Sequence, residues 1–241
     1  MDTTYLEIAR LIDHALLAPT LTVSALEAGL AQARSYDVAS VCILPYYLRR
    51  ASEFLAGSAV KASTTIGFPH GGQARDVKLA EARRALDDGA DELDMVVNVS
   101  QVLSGGWDYV SDEVKALVEL CHWRQKKLKL IFETAYLADS HKLRLCEIAG
   151  RLAVDWVKTS TGFAPGGATL ADVKLMREAV PAFVQVKASG GVRDLDGLLA
   201  LRPFVTRIGT SNTRAILDEY RARAGLSPIV SVSVDAPSGS Y

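Results

Sequence analysis

Eight short runs of apolar and β-branched residues recur along the chain, separated by longer segments with helical spacing. The runs cover residues 13–17, 39–44, 61–68, 92–98, 127–134, 155–160, 183–189 and 206–211. Strands that alternate with helices form a parallel sheet, because each helix carries the chain back to the same edge. Eight such units in 241 residues predict an α/β fold of the closed (β/α)8 TIM-barrel type. No Gly-x-Gly-x-x-Gly follows the first run, which disfavours an open dinucleotide-binding sheet.

The pattern predicts a single domain over residues 1–226. No stretch rich in Pro, Gly or Ser interrupts it, and its composition does not change along the chain. Residues 227–241 lie outside the pattern and are rich in Ser and Pro, so we expect a poorly ordered carboxyl-terminal tail. The last residue, Tyr241, is a candidate to close over a binding site.

The charge balance argues against nucleic-acid and membrane partners. The formal net charge is −1 and the pI is near 6.4, whereas such partners need a concentrated positive field. No run reaches the roughly 18 apolar residues of a membrane span, and the amino terminus does not have the pattern of a secretory signal. Three cysteines without Cys-x-x-Cys spacing are typical of reduced packing residues. We therefore expect a cytoplasmic protein.

The alternation of side chains along the strands predicts charged groups inside the barrel. In the fourth run an apolar outer face leaves Glu92 and Asp94 pointing inward. The same alternation in the fifth, sixth and seventh runs places three lysines inside: Lys129, Lys158 and Lys187. A barrel interior is normally filled by branched aliphatic side chains, so these charges must pair or change protonation state. Perturbed titratable groups of this kind indicate a functional site.

Lys158 and Lys187 lie near the carboxyl ends of adjacent strands, where barrel enzymes place their active sites. Two ammonium groups in a partly desolvated space are both expected to resist protonation. A lysine of ordinary pKa is only about 0.04% neutral at pH 7, whereas a pKa near ~7 makes about half of it neutral. Imine formation with a carbonyl requires this neutral amine. The sequence therefore predicts that one lysine attacks an aldehyde while its neighbour helps to keep it deprotonated.

Two glycine-rich turns follow the seventh and eighth runs and predict a phosphate site. They read KASGGVR (187–193) and IGTSNT (208–213), and each leads into a helix. Backbone N–H groups and helix amino termini at this position of a barrel face anions. The candidate phosphate-binding residues are Gly162, Gly190, Gly191, Gly209, Ser211 and Asn212.

Other reactive side chains give weaker signals. Cys42 lies on the inward face of the second strand, so it is a candidate substrate contact. Four histidines lack the spacing of metal ligands and are interpreted as structural or surface residues: His14, His70, His122 and His141. No metal or cofactor is predicted.

Several segments together resemble the deoxyribose-phosphate aldolase family, over roughly residues 10–215. They include IDHALLAPT, TTIGFPHG, GADELDMVVN, VKTSTGFAPGGAT, VKASGGVR and RIGTSN. The resemblance implies a class I aldolase that reversibly cleaves 2-deoxy-D-ribose 5-phosphate to glyceraldehyde 3-phosphate and acetaldehyde, without metal or cofactor. It also implies that Lys158 forms the Schiff base and that Lys187 and Asp94 transfer protons.

Two positions depart from the family pattern, because Asn212 stands where many members carry Ser or Gly, and Ala135 where Cys or Gly is common. Tyr241 is similar to the tyrosine at the end of the tail in some members. Two alternatives share the phosphate turns without needing paired lysines: a sugar-phosphate isomerase and a non-catalytic sugar-phosphate-binding protein. The expected partners are small phosphorylated sugars, aldehydes and further copies of the chain in a dimer or tetramer.

Overall fold

Eight parallel strands close into a barrel in the computed structural model, which describes residues 4–229. The strands are β1 (Ile12–Leu16), β2 (Ser40–Ile43), β3 (Lys61–Ile66), β4 (Glu92–Val96), β5 (Lys127–Ile131), β6 (Trp156–Lys158), β7 (Gln185–Ser189) and β8 (Arg207–Thr210). Each strand pairs with the next along the chain, and β8 pairs with β1. Every one of the eight predicted runs overlaps a strand, and only β1 begins outside its run, by one residue, so the predicted barrel is confirmed.

Helices surround this barrel and follow the strands in sequence. They are α1 (Tyr5–Ala9), α2 (Val23–Tyr36), α3 (Leu48–Leu55), α4 (Arg75–Asp87), α5 (Val99–Leu103), α6 (Trp107–Trp123), α7 (Asp139–Arg151), α8 (Leu170–Ala179), α9 (Leu195–Leu201) and α10 (Thr213–Arg223). Three short 3₁₀ turns lie at Pro45–Tyr47, Thr134–Tyr136 and Arg202–Phe204. Within residues 4–229, no helix is both long enough and apolar enough to cross a membrane.

The main hydrophobic core lies between the outer face of the strands and the surrounding helices. In β4, Leu93 and Met95 are fully buried on this face. In α6, Val110, Val114 and Leu117 form the buried stripe that the sequence predicts. Each fully buried Leu or Val side chain stabilises the fold by about 1.5–3 kcal/mol. This apolar layer fixes the register of the strands, and therefore fixes which residues enter the barrel.

Thr169 caps the amino-terminal end of α8. The Thr169 side-chain oxygen accepts a hydrogen bond from the Asp172 backbone N–H at 3.0 Å. A threonine cap of this kind typically contributes about 1 kcal/mol, because it satisfies a backbone donor that has no partner within the helix. The cap ends the loop that follows β6 and so defines one wall of the cavity described below.

His14 lies in β1 and is buried outside the charged interior. Its Nδ1 is 2.8 Å from the Thr213 hydroxyl oxygen, and burial lowers the pKa of His14 to about 4. In the unfolded chain the imidazole has an ordinary pKa of 6.5. It therefore binds a proton at pH values at which the imidazole of the folded chain does not. Because a proton bound only by the unfolded state favours unfolding, stability falls as pH falls from 6.5 toward 4.

We expect His14→Gln to remove this pH dependence. Between pH 7 and pH 5 the wild-type histidine should cost about 2 kcal/mol of unfolding free energy, a loss that a non-titrating side chain does not incur. Urea unfolding at both pH values measures the difference, and His122→Gln, a change at a partly exposed histidine, is the matched control. Equal losses in the wild type and in His14→Gln would contradict this assignment.

Candidate active site

Asp94 of β4 is the centre of a charged cluster inside the barrel. Its Oδ1 accepts a hydrogen bond from Lys129 Nζ at 2.8 Å. Its Oδ2 accepts from both Lys158 Nζ and Lys187 Nζ, also at 2.8 Å each. The strand register explains the grouping, because Asp94 lies opposite Lys129 and Lys158 lies opposite Lys187. The structure thus brings together the three residues that the sequence singles out for catalysis.

Two residues of this cluster were not predicted from the sequence as part of the site. Asp13 of β1 lies 2.6 Å from Lys187 Nζ through its Oδ2, and Arg207 of β8 lies 3.1 Å from Asp13 Oδ1. Arg207 also pairs with Glu92 at 3.1 Å. A signal was present, because Asp13 and Arg207 are charged residues within or beside otherwise apolar strand runs. The alternation of side chains that places Asp94 inside the barrel also predicts that Asp13 of β1 and Arg207 of β8 point inward.

The pKa values of the two lysines at the carboxyl end shift in opposite directions. Burial lowers the pKa of Lys158, and the neighbouring Lys187 lowers it further against the opposing effect of Asp94. For Lys187 burial also disfavours the charge, but the carboxylates of Asp13 and Asp94 outweigh it and raise the pKa. The expectation that both lysines resist protonation is therefore wrong for Lys187. The physical reason is that, in the part of the chain that the structure describes, Lys187 contacts two carboxylates and Lys158 contacts one.

The same contacts keep Asp94 ionised. Burial favours the neutral acid, but the three surrounding ammonium groups, led by Lys129, hold the pKa of the Asp94 carboxyl well below its usual range. A buried carboxylate of this kind survives only because its charge is compensated by direct contacts. In the unliganded site Asp94 is thus ionised, and it holds Lys158 and Lys187 in place.

A cavity of about 740 Å³ opens over Lys158 and Lys187 at the carboxyl ends of the strands. The Cys42 side chain also lines it, and burial raises the pKa of this thiol. All six candidate phosphate residues line the same cavity: Gly162, Gly190, Gly191, Gly209, Ser211 and Asn212. The predicted nucleophile and the predicted anion turns therefore share one cavity, although their roles stay predictions.

Glycines allow the loops of this cavity to approach each other closely. Gly190 has a φ of +84°, which disfavours other residues. A Cβ on Gly167 would lie 2.3 Å from the Gly190 carbonyl oxygen. The Ala168 N–H donates to the same Gly190 oxygen at 3.0 Å. The loop after β6 and the turn after β7 are thus joined directly, backbone to backbone.

Glu133 supports the loop after β6 from the end of β5. It adopts a left-handed conformation with φ 58°, and its carboxylate accepts from the Thr161 N–H at 3.2 Å and from the Thr161 hydroxyl. Burial raises the pKa of this carboxyl. Glu133 lies four residues after Lys129, so strand alternation along the fifth run places it on the same inward face. The backbone conformation that turns its side chain toward Thr161 is not visible in the sequence.

The remaining candidates contribute less to this geometry. His70 is exposed, and His141 accepts a hydrogen bond from the Ala138 N–H through Nδ1. His122 contacts Asp155 at 2.9 Å near the surface. These positions agree with the structural or surface interpretation of the histidines. Tyr241 lies outside the described residues.

Comparisons with known proteins agree with this geometry. The family model described as DeoC/LacD family aldolase matches residues 8–212. A deoxyribose-phosphate aldolase from Rhodopirellula baltica is 54% identical over 239 residues, 99% of each chain. One from Thermococcus gammatolerans is 42% identical over 219 residues, which is 90% of this chain and 97% of the relative.

Solved structures give the same result. The tetrameric deoxyribose phosphate aldolase from Aeropyrum pernix superposes with a TM-score of 0.84 at 32% identity, covering 91% of this chain and 93% of its own. The family model covers most of the chain, and the relatives are similar along nearly their whole length. The chain belongs to the DeoC/LacD family of aldolases.

Proposed function

We propose that this protein reversibly cleaves 2-deoxy-D-ribose 5-phosphate to D-glyceraldehyde 3-phosphate and acetaldehyde through a Schiff base on Lys158. One observation carries the proposal: the Lys158 amine is 98% buried, borders the cavity and has a pKa lowered by burial. The relatives named deoxyribose-phosphate aldolase support the choice of substrate. An isomerase or a binding protein would not need a deprotonated lysine beside a protonated one.

The first step is attack of the neutral Lys158 amine on the C1 aldehyde. The resulting carbinolamine takes up a proton and loses water, which gives a protonated imine, and that proton is returned when the imine is hydrolysed. Removal of the proton from the C3 hydroxyl then breaks the C2–C3 bond, and its electron pair moves into the imine to give an enamine. Glyceraldehyde 3-phosphate leaves at this point. Protonation of the enamine carbon and hydrolysis of the imine release acetaldehyde and restore the amine.

Lys187 and Asp94 are suited to move the protons of these steps. The Lys187 ammonium carries a proton at neutral pH, because two carboxylates stabilise it. The Asp94 carboxylate touches both lysines through the same oxygen, at 2.8 Å from each. We propose that the pair relays protons through water between the C3 hydroxyl and the enamine carbon. Lys187 also keeps the positive charge that opposes protonation of Lys158.

The turns after β7 and β8 would hold the phosphate group. Ser211 and Asn212 directly precede α10, and their position at a helix amino terminus suits an anion. Gly190 and Gly191 have positive φ angles, 84° and 80°, and lie in the facing turn. Because the phosphate does not react, these contacts should contribute to binding more than to turnover.

Ser211→Ala is therefore expected to raise KM for the phosphorylated sugar by roughly 5–20-fold, with kcat changed by less than about threefold. The loss corresponds to one hydrogen bond to a charged group, about 1–2 kcal/mol. Steady-state kinetics with 2-deoxyribose 5-phosphate measure it, and unphosphorylated 2-deoxyribose is the control substrate. An unchanged KM for the phosphorylated sugar would remove Ser211 from the phosphate site.

Trapping tests the proposed function directly. The protein is incubated with 2-deoxyribose 5-phosphate or acetaldehyde, reduced with borohydride, digested and analysed by peptide mass spectrometry. A reduced adduct on Lys158 supports the Schiff-base mechanism. An adduct on Lys187 instead would exchange the roles of the two lysines, and active protein without an adduct on either would contradict the proposal.

We extend the proposal to assembly and location. The Aeropyrum pernix relative is described as a tetramer, which supports a homo-oligomer here. The three cysteines Cys42, Cys121 and Cys146 are all free and buried, as suits a reducing compartment such as the cytoplasm. Sedimentation of the purified protein would determine the oligomeric state.

A further inference from the structure

Among residues 4–229, the charged side chains that ion pairs connect inside the barrel do not balance if all of them are ionised. The connected cluster holds four cationic side chains, Lys129, Lys158, Lys187 and Arg207, and three carboxylates, Asp13, Glu92 and Asp94. One positive charge is in excess. Because uncompensated charge in a buried site is costly, the cluster is most stable when one of the four cations is neutral.

The contacts determine which cation is neutral. Lys129 lies within 4 Å of all three carboxylates, at 2.5, 2.8 and 3.6 Å. Lys187 contacts two carboxylates, whereas the only carboxylate among residues 4–229 that pairs with Lys158 is Asp94. Arg207 contacts two, and an arginine does not lose its proton in proteins. Lys158 is therefore the cation with the least compensation.

Other titratable groups around Lys158 do not alter this balance. Cys42 faces it from β2, and burial raises the pKa of that thiol, which keeps it neutral. At the end of β5, burial raises the pKa of Glu133 against the opposing attraction of Lys158, and the Glu133 oxygens accept hydrogen bonds from Thr161. Within residues 4–229, Glu133 forms no ion pair with any of the four cations. The balance thus depends on the seven connected groups.

Glu92 and Arg207 belong to this cluster but do not line the cavity. They lie at the amino-terminal ends of β4 and β8, and they pair with each other at 3.1 Å. Arg207 also lies over the Trp156 ring, 5.1 Å from its centroid. Glu92 is 2.5 Å from Lys129, which contacts Asp94, which contacts Lys158. A continuous line of ion pairs therefore joins the two ends of the barrel.

We propose that Glu92 and Arg207 tune the reactivity of Lys158 from the far end of the barrel in opposite directions, Glu92 favouring its charged form and Arg207 its neutral, nucleophilic form. They are positioning residues, because they act through Lys129, Asp13 and Asp94 and do not reach the substrate. The inference rests on the proposed function, since it takes Lys158 as the imine-forming lysine. It extends the active site to the opposite end of the barrel.

The two residues should act in opposite directions. Glu92→Gln removes a negative charge and should move the pH midpoint of Lys158 reactivity downward. Arg207→Gln removes a positive charge and should move it upward. Unit charges within roughly 10 Å in a medium of effective dielectric ~20 shift such a midpoint by roughly one pH unit. The double variant Glu92→Gln/Arg207→Gln keeps the net charge and should return to the wild-type midpoint.

The measurement is the initial rate of adduct formation on Lys158 as a function of pH, with acetaldehyde and cyanoborohydride and with detection by mass spectrometry. Arg207→Lys preserves the charge and should restore a midpoint near that of the wild type, which separates charge from packing. Asp91→Asn and Lys126→Gln are matched controls, because this pair lies beside Glu92 in space but outside the interior cluster. Both controls should leave the midpoint unchanged.

The outcomes separate the two proposals. Opposite shifts in the single variants, cancelled in the double variant, support the charge-balance inference. Unchanged midpoints, or shifts in the same direction, overturn it while the adduct on wild-type Lys158 still supports the proposed function. If a single variant does not fold, the double variant and Arg207→Lys still test the inference, and a shifted midpoint in both would overturn it. No adduct on Lys158 in active wild-type protein would overturn both proposals.

Discussion

Lys158→Met is expected to lower kcat/KM for 2-deoxyribose 5-phosphate by about ten-thousandfold or more. Methionine fills a similar space but has no amine, so neither the imine nor the enamine can form. The fold should survive, because Asp94 keeps its contacts with Lys129 and Lys187 and the change removes the least compensated charge of the cluster. Steady-state kinetics measure the activity, and urea unfolding should show stability equal to or above that of the wild type.

Lys187→Met is the matched variant for this experiment, because Lys187 is equally buried and touches the same Asp94 oxygen. We expect it to lose turnover while acetaldehyde is still trapped on Lys158. Two results would contradict the assignment of Lys158. One is cleavage by Lys158→Met at a rate within about tenfold of the wild-type rate. The other is a stable adduct on Lys187 in the Lys158→Met variant.

The sequence predicted the barrel and much of its interior for a simple physical reason. The outward face of each strand must be apolar, so the charged residues in alternate positions have only the interior left to occupy. The apolar pair Leu93 and Met95 places Asp94 inside in this way. The carboxyl ends of β6 to β8 then bring the lysines and the glycine turns to one cavity.

What the sequence could not supply is the pairing inside the barrel. Strand alternation gives the direction of Lys187 but not its distance from Asp13, and this distance decides the sign of its pKa change. Arg207 and Glu92 come from strands that are far apart in the chain, and they meet only across the closed barrel. The left-handed backbone of Glu133 likewise depends on its tertiary partner Thr161. Such contacts form because the barrel closes, and the local sequence pattern of a single strand does not predict them.

Asp94→Asn is expected to damage both stability and turnover. The variant removes the carboxylate that the Nζ atoms of three lysines contact at 2.8 Å. Breaking a buried ion pair from one side typically costs about 3–5 kcal/mol, because the remaining charge is left uncompensated. The Asp94 pKa lies well below the ordinary value of 3.8, so its stabilising contribution is fully present above about pH 4 and is lost only as pH falls below that. The full loss of unfolding free energy in Asp94→Asn should therefore be observed at neutral pH.

For catalysis, Asp94→Asn removes the proposed acceptor between Lys158 and Lys187 but leaves the Lys158 amine. Turnover should fall by about 10²–10⁴-fold, the usual range for loss of a general acid or base, while acetaldehyde is still trapped on Lys158. Urea unfolding, kinetics and trapping on the same preparation measure these effects, with Asp91→Asn at the surface ion pair as the control. Wild-type stability together with wild-type turnover would show that the Asp94 carboxylate neither holds the lysines together nor transfers protons. Loss of the adduct in a folded variant would instead mean that Asp94 is needed to place Lys158 for attack, because removing the carboxylate that favours its charged form can only make the amine more neutral.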